Sequence, residues 1–468
     1  MQLLHTLAKT SAVFDDPNLI SHAGLVPLAA LADRVGLRAS AAANVGLPGP
    51  AGSNAGLKTA CLAAGMAAGA DSLDGMGLLR HGAMEKIFGG LRAPSTLGSF
   101  LRAFTWGNVS QLQKTHRQVL TELARISPLL PGAQALAFID VDATQKRVYG
   151  YAKQGAAFGH TKIQGKSVLV KGLNVLAATV STPLSAPVIA ASRLRKGGAG
   201  SARGAASLAK EAVFTARNCG CAGTIVVRMD SGFYSSQVIA AIRGAGACFS
   251  VTVPSNPAVR AAVGAIPEDA WTGIRYPHAI FDDQAGCWVS DAEVAEVPFR
   301  AFTSKKKELQ VTARLIVRRV RALNPAAAPG QGELFPSYRY HAVFTDSPFI
   351  TLQAEDQHRD HAVIEQVFAD WNDGPLAHLP SGDFNANAAW TVVAAIAQNL
   401  TRAAGALAGP LHARARAATI RRDLIAVAAR AARRGRGNLV LHLPERWHRE
   451  HEWRNLWDAA CGPPPAAA

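Results

Sequence analysis

Phe138-Ile139-Asp140-Val141-Asp142-Ala143-Thr144 closes the apolar run Ala135–Val141 on acids, and Val226-Val227-Arg228-Met229-Asp230-Ser231-Gly232 closes Thr224–Met229 in the same way. Short apolar runs of this kind are the pattern of central strands covered on both faces. An acid at the end of such a strand faces outside the sheet, where open α/β folds place their ligands. For a lone aspartate, a helix N-cap or turn is the commoner role. Two strand ends of the same design in one chain shift that balance. Side by side, Asp142 and Asp230 would repel each other until a divalent cation joined them. Two hard cations about 3.5–4 Å apart can clamp the attacking and leaving oxygens of phosphoryl transfer.

Such a site needs a third acid, and the segment His358-Arg359-Asp360-His361-Ala362-Val363-Ile364-Glu365-Gln366-Val367-Phe368-Ala369-Asp370 offers one on a helix. Counting by three and four, His358, His361 and Glu365 share a face. His361 and Glu365 could instead hold zinc, but the order His-x-x-x-Glu lacks the second histidine of a zinc helix. A solvated amphipathic face accounts for Arg359 and Asp360 and less well for Glu365, which Ile364 and Phe368 flank.

Outward from these segments the chain alternates strands and helices, the mark of an α/β sheet. Val168–Val180 and Cys248–Val253 read as strands, and Ala205–Arg217 and Ser235–Arg243 as helices. Residues 1–130 read as helical. There Leu28–Val35 and Ala39–Val45 flank Gly36-Leu37 like a helix-turn-helix, with Arg38, Ser40 and Asn44 as its base-reading side chains. Residues 254–350 are irregular and β-rich, contain the strand Ala313–Val320 and a Pro/Gly loop at 324–336, and read as an inserted β subdomain. Helices return at 356–372 and 383–408. A tract from Leu411 to Arg436 carries eight arginines against one aspartate, and Gly462–Ala468 reads as a disordered tail.

The chain has 468 residues, 49% of them hydrophobic and 18% charged, so it can bury a sizeable core and two or three compact units are expected. Its net charge of +16 points to a polyanionic partner, because cationic side chains displace the counterions condensed on phosphates. The six scattered cysteines fit reduced thiols better than a disulfide framework. No long apolar run follows Lys9, and the alanine-rich stretch Ala388–Ala397 is too short for a membrane span, so a soluble, cytoplasmic protein with a buried helix there is expected.

The chain resembles the DDE transposases of bacterial insertion sequences, of the DDE-domain group-one type (the IS thirteen-eighty kind). The resemblance is carried by Asp140-x-Asp142-x-Thr144 with Val148–Gly155 after it, Leu194-Arg195-Lys196-Gly197, Ser201-Ala202-Arg203-Gly204, Val227–Ser231, His361–Gln366, Gly374–Gly382 and Asn385–Trp390. Arg80–Met84 and Pro94–Arg102 extend it toward the N-terminus, so it covers roughly residues 10–440.

The resemblance implies an α/β fold: an RNase H-like core in two parts, 131–253 and 351–410, split by a β-rich insertion at 254–350. A helical N-terminal DNA-binding region would precede it over 1–130 and a basic helical segment with a tail would follow over 411–468. It implies two Mg²⁺ ions, replaceable by Mn²⁺, held by Asp142, Asp230 and Glu365, with Asp140 as the near alternative to Asp142. It also implies strand cleavage at terminal inverted repeats, attack of the freed 3′-OH on target DNA, a homodimer to hold two ends in a synaptic complex, and a nucleoid-associated location. Related elements carry a Y-x2-R-x3-E-x6-K signature; here His358 stands at the Tyr position, His361 at the Arg and Asn372 at the Lys. Histidine can contact phosphate, whereas Asn372 lacks the lysine's charge. Lys153, Arg195, Lys196, Arg203, Lys305, Lys306, Lys307 and Arg359 are the candidate phosphate contacts beside His358 and His361, although each taken singly is more often a solvated surface charge. Two alternatives remain: an inactive transposase-derived DNA-binding protein, and a nuclease of the same core that cuts without strand transfer.

Overall fold

The computed structural model describes residues 4–149, 152–163, 166–274, 281–282, 287–288, 292–321, 338–435 and 437–462. The expected Pro/Gly loop at 324–336, Arg436 of the arginine tract, Gly150 and Tyr151 of the family-like motif, and the tail beyond Gly462 lie outside the described residues.

The N-terminal part is helical: α1 (Leu25–Arg34), α2 (Leu37–Asn44), α3 (Ala55–Ala68), α4 (Pro94–Arg102) and α5 (Trp106–Ile126). Gly36 joins α1 to α2 at φ +69°, a left-handed turn that a residue without Cβ adopts freely. Thr105 opens α5 with a reciprocal capping box through Asn108. The expected helix-turn-helix pair is present, but two of its three base-reading side chains are engaged by α5. Ser40 Oγ and Asn44 Nδ2 both donate to the Gln118 amide oxygen Oε1 on α5, at 2.6 and 2.7 Å, and Arg38 forks onto Asp33.

The sheet begins with β1 (Leu136–Arg147), followed by β2 (Ala157–Ile163), β3 (Lys166–Ser181), β4 (Val188–Lys196), α6 (Ala205–Asn218), β5 (Thr224–Met229), α7 (Ser236–Gly244) and β6 (Cys248–Thr252). β7 (Thr272–Ile274), β8 (Ala292–Ala301), β9 (Val311–Arg321) and β10 (Tyr338–Thr345) complete it. The order across the sheet is β2-β3-β1-β5-β6-β10-β9-β8-β7, with β4 also paired to β3. β1 runs antiparallel to β3 and parallel to β5, and β5 runs parallel to β6. Ala137, Phe138, Ile139 and Val141 of β1 and Ile225 through Met229 of β5 are buried, as expected for strands covered on both faces.

Of the described strands of residues 254–350, Phe281–Asp282 and Cys287–Trp288 pair only with each other, and the remaining four continue this sheet. β10 pairs antiparallel with β6 through Ser250↔Thr345, and β9, β8 and β7 follow in the same ladder. The sequence pattern shows that these are strands; the free edge of β6 decides where they pair.

After the sheet come α8 (Thr351–Arg359), a 3₁₀ turn at Asp360–Ala362, α9 (Val363–Asn372) and α10 (Phe384–Ala408). The helix expected over 356–372 is therefore two helices. α10 is buried on all sides, matching its apolar composition, and Ala388–Ala397 lies within it. The basic segment expected to be helical over 411–468 is helical only in part. It holds short helical turns and a hairpin, Ala429–Arg433 with Leu439–His442, which also pairs with Leu19–Ile20. A final helix, α11 (Glu450–Cys461), packs on α1 and α10. No helix among the described residues is long and apolar enough to cross a membrane.

Candidate active site

Parallel pairing sets Asp140 of β1 opposite Arg228 of β5, and Arg228 opposite Ser250 of β6. This row meets the α8–α9 connection. Arg228 grips Asp140 with a fork, Nε to Oδ1 at 2.7 Å and Nη2 to Oδ2 at 2.8 Å, and its Nη1 donates to Gln357 O at 2.5 Å. His361 Nδ1 lies 2.9 Å from Asp140 Oδ1. Burial alone would raise the Asp140 carboxyl, but Arg228 and His361 outweigh it and hold it below its ordinary value. His358 belongs to the same layer: Nδ1 meets Ser250 Oγ at 2.8 Å and Nε2 meets Thr252 Oγ1 at 2.9 Å. Burial, with His361 and Arg228 nearby, pushes His358 down to about 3, so it is neutral at ordinary pH.

Two residues further along each strand the environment opens. Asp142 is half-buried at the face where Asp140 is sealed, and Asp230 is exposed just past the end of β5. Asp142 Oδ1 accepts from Ala143 N at 2.6 Å, and Asp230 Oδ1 accepts from Gly232 N at 3.0 Å, capping the 3₁₀ turn Ser231–Phe233. The turn-forming role of Asp230 is therefore real, and it coexists with a place on the cleft wall.

α9 lies along β1. His361 touches Asp140 at one end, and at the other Lys146 Nζ donates to Asn372 Oδ1 at 2.9 Å. Asp140 to Lys146 spans about 20 Å of strand at ~3.3 Å per residue, and His361 to Asn372 about 16 Å of helix at ~1.5 Å per residue. Strand and helix thus run side by side, and Glu365, one turn after His361, falls opposite Asp142. The core face of α9 is Ile364, Val367, Phe368 and Trp371, which leaves Glu365 exposed.

Asp142, Asp230 and Glu365 all line one cleft of about 900 Å³, together with Thr144, Asn174, Gly197, Ser201, Phe368 and Asn372. Gly197 forms part of the wall because β2 and β3 pass too close for a side chain: a Cβ there would stand 2.0 Å from Gly172 O and 2.4 Å from Ala157 O. Burial, with the charges of Asp230 and Glu365, pushes Asp142 up to about 6 against the opposing pull of the Ala143 N–H and of His361. Among the described residues no lysine or arginine forms an ion pair with any of the three acids. Nor do any three His, Cys, Asp or Glu side chains there stand close enough together to hold one metal ion. The acids share a cleft as an open set, each on its own element.

The basic residues singled out in the sequence divide into several groups. Lys196 and Arg203 are exposed beside the cleft-lining segment Gly197–Ser201. Lys153 is half-buried with its ammonium on Leu379 O. Arg195, expected at phosphate, is buried instead: its guanidinium binds Asn174 Oδ1 at 2.5 and 2.9 Å and the carbonyls of Gly200, Ser201 and Arg203 at 3.2, 3.0 and 2.6 Å. It builds the cleft wall. His358 and His361, expected at phosphate too, turn to the buried layer, and Arg359 pairs with Glu355 and Asp356. Lys305, Lys306 and Lys307 are exposed in the turn between β8 and β9. The row of Asp142 runs through Thr252, Val343 and Ile316, and Val311 starts β9 beyond it, so this turn lies at the opposite end of the strands from Asp230. Sequence reasoning missed Lys146, although the alternation Asp142-x-Thr144-x-Lys146 places all three on one strand face.

A family model described as "Transposase DDE domain group 1" matches residues 6–459. Among curated proteins, none matches the chain.

Proposed function

The chain belongs to the transposase DDE domain group 1 family, and on that premise we propose that it is the transposase of an insertion sequence, which binds terminal inverted repeats and carries out metal-dependent strand cleavage and strand transfer. The observation that carries this reading is the meeting of Asp142, Asp230 and Glu365, from two parallel strands and a helix, in one cleft, with no lysine or arginine ion-paired to them among the described residues. Asp142 is preferred to Asp140 because Asp140 is fully buried with both oxygens engaged. An RNase H-like core is supported by the five-strand unit β4-β3-β1-β5-β6, an antiparallel set joined to a parallel trio, with the acidic helix laid against its face.

The donor set is carboxylate oxygen only, which suits hard cations such as Mg²⁺ or Mn²⁺ and not zinc. The zinc alternative lacks support, since His361 is not among the residues that line this cleft. Glu365 is exposed and has three side-chain torsions with which to close the set. When bound, a cation pair supplies an activated attacking oxygen and neutralises charge on the leaving oxygen. The residues of the chain bind and orient. Lys196 and Arg203 flank the cleft mouth as phosphate contacts, and Lys146, which burial holds below its ordinary ammonium value, offers a cation at its far end. Two DNA ends require two copies of the chain in the synaptic complex.

The test is cleavage of linear DNA bearing the element's own ends. Asp230→Asn should lose cleavage and keep end binding, because binding rests on phosphate and groove contacts. Undiminished cleavage by Asp230→Asn in Mg²⁺ would refute the assignment.

A further inference from the structure

The catalytic acids repel one another, yet each sits one structural repeat from a member of a buried network. Asp140 precedes Asp142 by two residues on the same face of β1, and Arg228 precedes Asp230 by two on β5. His361 precedes Glu365 by one helical turn. We propose that Asp140, Arg228 and His361 form a clamp that fixes β1, β5 and α9 in the mutual placement from which Asp142, Asp230 and Glu365 bind their cation. They are positioning residues, and the inference rests on the reading of those three acids as ligands.

Three observations carry it. Asp140 is 0% and Arg228 2% exposed, and together they make the fork described above, with the Phe138 ring 4.2 Å from the guanidinium. Asp140 Oδ1 accepts from both Arg228 Nε and His361 Nδ1, so one oxygen joins β1, β5 and the 3₁₀ turn that leads directly into α9. A buried ion pair is also a poor device for stability alone, since apolar replacements of similar volume are often neutral or better. What it provides is direction: bidentate and charge-assisted bonds fix orientation as well as distance. A hydrophobic layer would hold the elements together without setting the offset between Asp142 and Glu365.

The experiment is Mn²⁺ titration of the full chain, followed by electron paramagnetic resonance, with thermal unfolding and metal-free binding to end DNA measured in parallel. His361→Ala should bind Mn²⁺ about 10-fold more weakly, the low end of the range for losing a ligand's direct partner, because His361 acts on the ligands one step removed, through Asp140. DNA binding and the unfolding midpoint should change little. His361→Asn, whose side-chain amide can donate to Asp140 Oδ1, should recover most of the affinity. Asp142→Asn separates the two readings. If it loses Mn²⁺ while His361→Ala binds as tightly as the unaltered chain, the clamp is overturned and the site stands. If Asp142→Asn binds Mn²⁺ normally, the site reading fails and the clamp with it. A His361→Ala chain that loses affinity only with its fold, and is not recovered by His361→Asn, also overturns the clamp.

Discussion

Asp142→Asn should make the metal-free protein more stable while abolishing cleavage. The folded state raises the Asp142 carboxyl from 3.8 to about 6, through burial and through Asp230 and Glu365. An acid raised on folding is disfavoured as its anion in the folded state. Below pH 3.8 both states carry the proton and there is no penalty. Between 3.8 and 6 the unfolded chain ionises first and stability falls, and above 6 the penalty is complete. A shift of about two pKa units is worth roughly 3 kcal/mol. Asparagine keeps an oxygen for the Ala143 amide and carries no charge, so the substitution removes the penalty without opening a hole. With an unfolding entropy of ~2.1 cal/mol/K per residue, a chain of this length unfolding as one unit would gain about 3 °C in Tm. The assay is differential scanning calorimetry in EDTA from pH 4 to 8. The difference between variant and unaltered chain should be near zero at pH 4, grow to pH 6 and then level off. Added Mg²⁺ should raise the midpoint of the unaltered chain only. A variant equally destabilised at pH 4 and pH 8 would refute the picture of a strained, unpaired carboxylate.

Glu365→Gln should lose Mg²⁺-dependent cleavage and keep its affinity for end DNA, measured by gel shift. Arg228→Met should cost about 3–5 kcal/mol in urea unfolding, because it strands the buried Asp140 charge, and Asp140→Leu in the same chain should recover most of that loss. His358 is lowered on folding to about 3 from 6.5, so the stability it protects is present above pH 6.5 and is lost as pH falls toward 3. His358→Gln should flatten the acid limb of the unfolding midpoint over that window. Lys146→Ala should weaken DNA binding and reduce the slope of log affinity against log salt by about 1, whereas replacing Lys305, Lys306 and Lys307 together by alanine should leave single-turnover cleavage within about twofold.

The strands bearing Asp142 and leading to Asp230 and the helix bearing Glu365 were legible because apolar runs and helical periodicity are local. But β1 does not end at Asp142 as expected: it runs on to Arg147, because the polar residues after Asp142 stay paired with β3. The choice between Asp140 and Asp142 was not legible. Both sit on one face of β1, and what distinguishes them is Arg228, 88 residues from Asp140 and brought to it only by strand register. The same limit hid β4, where Arg193 and Arg195 interrupt the apolar pattern because Arg195 is buried against Asn174. Charge suggested a phosphate contact at Arg195 and the family signature one at His358, but neither says which face a side chain takes, and both side chains are buried. In the arginine tract, a hairpin forms where a helix was expected. Its strand Ala429–Arg433 pairs with Leu19–Ile20, a partner at the other end of the chain.

Asn372 was the residue that favoured an inactive protein, because a neutral amide stands where related elements carry a lysine. The structure moves the relevant charge to the neighbouring strand: the Lys146 ammonium rests on the Asn372 amide oxygen, at the edge of the cleft that Asn372 lines. A lysine at both positions would set two ammonium groups about 4 Å apart, a repulsion of roughly 4 kcal/mol at an effective dielectric near 20. A neutral residue on α9 therefore suits a half-buried lysine on β1 better than a second lysine would. The acids argue in the same direction. A protein that only bound DNA would gain stability by discharging Asp142, since its ionised form works against the fold. A cleft that gathers three acids with no ion pair to lysine or arginine among the described residues, and has a cation at its edge, has a physical rationale where a divalent ion and a phosphodiester complete it.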